Sequence, residues 1–177
     1  MADTIRIIRT ATFVLAGVAV ALCCAGVAWK RDTLTAAFTL NAAQGALQES
    51  LDGAAPPGSV VRFVNVGERS GALVLGLADA AIPEDEAARL RDLLWERYVR
   101  AFAAGGYAVS HVAVAPLRAD GTVDTAALHA VDVRTVVART GLAPPVLHPV
   151  YRKAGAFNPA VDEPPPLPAS MRAGDGR

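Results

Sequence analysis

The side chains best suited to chemistry in this 177-residue chain are three histidines, two cysteines and a few acidic clusters. Ser110 and His111 are neighbours. Nucleophilic catalysis needs a serine or cysteine beside a histidine and an orienting acid. The surrounding "YAVSHVAVAP" reads as a strand, which sends adjacent side chains to opposite faces. The strained GxSxG turn is absent. His111 is still the histidine to inspect, because on an otherwise apolar strand it marks a pocket or a pH-sensitive contact. His129 and Asp132 would share a face at i, i+3 on a helix, but there is no HExxH and no third ligand at useful spacing. Cys23 and Cys24 are the only cysteines, so no disulfide framework or cysteine-based zinc site is expected. "GAAPPGS" lacks the lysine and following helix of a phosphate-cradling loop. Glu84, Asp85 and Glu86 read as complements to a helix dipole rather than as acid–base catalysts. The expectation is therefore no catalytic residue, no metal and no cofactor.

What remains is chemistry for contacts. "EPPPLP" contributes Pro164, Pro165, Pro166, Leu167 and Pro168, a polyproline II segment of low ordering entropy that can dock in an aromatic groove. The plainer reading of the same segment is a solvated linker. Phe157 adds a bulky apolar anchor nearby, and Trp95 another on a helix. These seven residues are the candidate partner contacts.

Such contacts need a location. Thr10 to Trp29 gives 20 residues without a charge, including "ATFVLAGVAVALCCAGVAW". As a helix it covers about 30 Å, the hydrocarbon thickness of a bilayer. Trp29, Lys30 and Arg31 suit an interface. A cleaved signal segment, cut after Ala28, and a buried core helix are the alternatives. The anchor is the expectation, because the run exceeds a secretory apolar core and is apolar all round. Flanking charges tie, Arg6 and Arg9 against Lys30 and Arg31. The free amino group tips the N-terminus to the cytoplasmic side, with the domain on the outer or periplasmic side. Beyond residue 32 there are 13 basic and 15 acidic side chains. That slightly acidic balance argues against nucleic acid as a partner. Hydrophobic content is 53%, and some 145 residues after the anchor suffice for one core.

The elements that must position these residues run in order along the chain. Leu40, Ala43, Leu47 and Leu51 form a helical stripe, ended by "DGAAPPGS". "VVRFVNV" and "ALVLGLA" around "GERSG" read as a hairpin. "PEDEAARLRDLLWERYVRAFAAGG" is a helix, with Pro83 in its first turn and Gly105–Gly106 as its stop. The "YAVSHVAVAP" strand comes next. "TAALHAVDVRTVVARTG" reads as helix or strand, with helix preferred; Asp124 would cap it and Gly141 end it. From Leu142 eight prolines predict an extended or disordered tail without regular elements.

The expected fold class is α+β. Its parts are a short tail over 1–10, a transmembrane helix over 11–31, a small two-layer domain over 32–141 with helices on one face of its sheet, and a Pro-rich tail over 142–177. That element order, without any residue motif, is similar to that of anchored envelope-assembly subunits. The functional expectation is a single-pass, non-catalytic interaction or assembly subunit of a membrane or cell-envelope complex. Its partners would be the lipid bilayer and other protein subunits. A tethered ligand-binding or sensor module is the alternative, and an enzyme of unfamiliar chemistry the third.

Overall fold

The computed structural model describes residues 35–79 and 82–172. The apolar run Ala11–Trp29 lies outside them; among the described residues no helix is long and apolar enough to cross a membrane. The chain divides into two units, Met1–Phe38 and Thr39–Arg177, and the second holds the sheet.

Helix α1 spans 35–51. Its predicted stripe is the face it buries: Leu40, Leu47 and Leu51 are in the core, with Ala43 packed against it. Strands β1 (Val60–Asn65) and β2 (Gly71–Leu77) form the expected antiparallel hairpin. Helix α2 (Glu84–Ala101) starts after Pro83 with three acidic residues in its first turn, where the exposed backbone N–H groups favour negative charge. It crosses to β3 (Val109–Pro116), which lies parallel to β2. The stretch read as helix or strand is both. A 3-10 turn over Thr125–Ala127 leads into β4 (His129–Asp132), antiparallel to β3, and then helix α3 (Val133–Thr140). Asp124 caps the 3-10 turn, while Asp132 caps α3 by accepting from the Arg134 N–H at 2.7 Å. Gly141, at φ 70°, ends α3 as its position predicted, donating its N–H to the Val137 carbonyl at 2.8 Å. The result is a mixed α+β fold on a four-stranded sheet ordered β1-β2-β3-β4.

Strands β2 and β3 are buried on both faces. Leu73, Leu75 and Leu77 join Leu90, Leu94, Tyr98 and Phe102 of the α2 region in the helix-side core, the packing that the leucine spacing predicts. Ala72, Val74, Ala113 and Ala115 point the other way, into a second apolar cluster. The tail departs from expectation. It forms a short helix, α4 (Pro149–Lys153), and a 3-10 turn over Ala169–Met171. Leu167 and Met171 pack against the second cluster, and Leu128 bridges Arg172 in parallel. Proline bars regular ladders, but it does not bar an extended segment from docking when each anchor covers apolar sheet that water would otherwise touch.

Candidate functional site

β1 lies at an edge of the sheet, so among the described residues one row of its backbone groups has no partner strand. Val61, Phe63 and Asn65 alternate with the residues that bond to β2 and therefore face outward. The start of this edge is sealed. Gln48 of α1 accepts from the Val61 N–H at 2.8 Å and donates to the Ser59 carbonyl at 3.0 Å. Arg62 Nη1 donates to the Val61 carbonyl at 2.9 Å. Among the described residues no hydrogen bond closes the outward groups of Phe63 and Asn65. The two positions span about 7 Å of extended backbone.

A groove of about 440 Å³ runs from the end of β1 across Gly71 to Ala108 and Val109 at the start of β3. One wall is Phe63–Asn65 with the β1–β2 turn, Gly67 to Gly71; the other is Tyr107 with Tyr151 and Ala154 of α4. The tail builds the far wall. Gly106 and Leu147 form a parallel bridge, with the Gly106 N–H on Val146 O at 2.9 Å and the His148 N–H on Gly106 O at 3.0 Å. His148 then caps α4, setting Tyr151 beside Tyr107 with ring centroids 5.4 Å apart. After α4, the Phe157 N–H donates to Arg69 O at 2.8 Å, tying the tail to the hairpin turn.

The aromatic lining is held from beneath. Phe63 and Tyr107 lie 4.0 Å apart, and Phe63 meets Phe102 edge-on at 5.7 Å. Buried Tyr98 donates its hydroxyl to the Tyr107 carbonyl at 3.1 Å. Gly106 is required at this floor, since a Cβ there would lie 2.6 Å from the Tyr98 hydroxyl oxygen and 2.7 Å from Pro145. Burial pushes the Tyr107 hydroxyl above the usual phenol range, and Tyr151 is pushed up to about 12 by burial and by Tyr107. Both phenols stay protonated at neutral pH and offer hydrogen bonds and ring faces. Glu68 and Arg69 mark the lip.

The expected contact residues are placed elsewhere. Trp95 is completely buried, its indole N–H on the Leu142 carbonyl at 3.0 Å. Phe157 belongs to the helix-side core. Neither presents a surface to a partner. Pro164, Pro165, Leu167 and Pro168 are half-buried and Pro166 is exposed, so the polyproline segment lies against its own domain.

Ser110 and His111 also differ from expectation. Val109, Val112 and Val114 all face the helices, a parity that requires one extra residue. The ladder supplies it as a bulge: Gly71 pairs with Val109 and Ala72 with His111, leaving Ser110 between. The serine Oγ and His111 Nδ1 thus approach to 3.0 Å, both buried, with Asp132 opposite His111 on β4. Ser110 is fully enclosed and its Oγ also reaches the Gly71 carbonyl at 3.3 Å. The pair fastens the bulge to the ladder. His129 is exposed on β4, and among the described residues no group of three or more metal-ligating side chains is assembled.

Tyr107 and Tyr151, which shape the groove, carried no signal beyond being aromatic. Arg91, one of the charged residues of α2, is buried. No family model, curated protein or solved structure matches the chain.

Proposed function

We propose that this protein is a membrane-anchored, non-catalytic interaction subunit that receives an extended segment of a partner protein along the open half of β1. The observation that carries this reading is the coincidence of two features. Among the described residues the outward N–H and C=O groups of Phe63 and Asn65 are unclosed, and the same residues help to line a groove with aromatic walls. An added strand satisfies such groups, and pockets flanking it take alternate side chains. The partner side chains that suit this groove are apolar or aromatic ones, stacking on Tyr107, Tyr151 and Phe63. Glu68 and Arg69 at its lip offer a charge of either sign.

The anchor, Ala11–Trp29, would hold the domain at the membrane surface, where tethering raises the effective concentration of a bilayer-borne partner. Affinity at the groove can then be modest. The aromatic walls also support the tethered ligand-binding reading, in which a small planar molecule fills the groove without pairing to β1.

Photocrosslinking separates these. A photoreactive amino acid in place of exposed Asn65 should capture a discrete protein partner in native membranes, while the same group in place of exposed Thr122 should not. Equal capture at both positions, or none at Asn65, would contradict the strand-addition reading.

A further inference from the structure

On the opposite edge of the sheet, Arg91 of α2 is only 2% exposed yet lines a cleft of about 340 Å³. Leu128, His129, Ala130 and Val131 of the β4 edge, Leu167 and Arg172 of the tail, and Glu84 complete it. A guanidinium has five N–H donors and remains charged when buried. Arg91 commits two of them: Nη1 to the His129 carbonyl at 3.1 Å, and Nη2 to the Glu84 carboxylate. Its Nε is buried and unpaired. A buried cationic donor without a partner is costly, and native structures normally satisfy it with protein, water or an ion.

The one acid that Arg91 holds reaches it from the solvent side. Glu84 is at the first position of α2, and its side chain is 72% exposed. It can leave for solvent by rotation about its own bonds. The second guanidinium, Arg172, uses Nε and Nη2 on the Leu167 carbonyl and so is fixed at the cleft; among the described residues no carboxylate pairs with it. Among the described residues the cleft therefore holds two arginines against a single displaceable carboxylate, with the Leu128 and Leu167 side chains as apolar walls.

We propose that this cleft binds a small oxyanion, a carboxylate or phosphate group, which displaces Glu84 and bridges Arg91 and Arg172. Glu84 is the internal stand-in for that group and its competitor. The site is independent of the β1 groove, lying on the other edge of the sheet.

The test is calorimetric titration of the full chain in mild detergent with succinate and, separately, inorganic phosphate. Arg91 is left intact because it is part of the core. Removing the competitor by Glu84→Gln should tighten binding about two- to fivefold, the range an exposed charge pair contributes. Arg172→Gln should weaken it at least as much, and Arg62→Gln on β1 should leave it unchanged. Tighter binding of succinate assigns a carboxylate ligand, and tighter binding of phosphate a phosphorylated one. The proposal is overturned if neither anion binds saturably, if Glu84→Gln binds no more tightly than the parent, or if Arg62→Gln weakens binding as much as Arg172→Gln.

Discussion

His111 is where a single residue ties the sheet to pH. Its ring is buried on the second face of β3, and burial pushes its pKa below the ordinary histidine value, partly opposed by Asp132. The folded state thus binds fewer protons than the unfolded chain just below the normal histidine pKa of about 6.5. His111 contributes stability that is full above that value and is lost as pH falls through it toward the folded pKa. The melting temperature should drop between about pH 7.5 and pH 5.5, and His111→Gln should flatten that part of the slope. Identical slopes in parent and variant would free His111 of the role. The sequence marked this histidine as the one on an apolar strand, and its burial was legible for that reason. Its closeness to Ser110 was not. Alternation within a strand is local, whereas the bulge depends on the register between Gly71 and Val109 of two different strands. The same limit hid Arg91: helical spacing puts it beside Leu90 and Leu94, but only the β4 edge and the tail bury it.

Elements with a clear period were readable from the residues alone. The α1 stripe, the hairpin, α2 and β3 each show one hydrophobic repeat bounded by glycine or proline. Leu94, on the inner face of α2, is completely buried, and Leu94→Ala should cost about 2–5 kcal/mol in chemical denaturation. A midpoint unchanged from the parent would mean that α2 packs by another face. β4 and α3 were harder, because a valine-rich stretch of mixed period suits either element, and here Asp132 divides it by capping the helix. The tail was the least legible. Its prolines forbid regular elements locally, but its docking is decided by long-range partners: Arg69 for Phe157, the second sheet face for Leu167 and Met171. A chain ending after Gly155 would lose Phe157 from one core and both anchors from the other. It should melt lower than the parent and expose apolar sheet, read by increased binding of a hydrophobic dye. Equal melting temperatures would show that the tail contributes nothing to the fold.

At the scale of the whole molecule, the proposed role combines an anchored N-terminus with a domain that has one half-open edge. Among the described residues of the second unit, the large apolar side chains left exposed are Val146 and Val161. Among the described residues neither the Trp95 face nor either sheet face offers a broad apolar surface, so the proposed role puts the partner at the β1 edge. Anchorage has its own test: the protein should stay in the membrane pellet after alkaline carbonate extraction, and a mature chain beginning near Trp29 would contradict it. The edge is tested most directly by Asn65→Pro. Proline removes one outward N–H and keeps the inward bonds of Arg62 and Val64, because edge strands tolerate it where the lost donor faces away from the sheet. Wild type and variant, solubilised from native membranes in mild detergent, are compared for partner recovery by quantitative mass spectrometry and for melting temperature. Strand addition at β1 predicts a melting temperature within about 4 °C of wild type and a partner yield reduced by about tenfold, the effect of roughly 1.4 kcal/mol of lost binding. Undiminished partner recovery by a folded Asn65→Pro protein would contradict it.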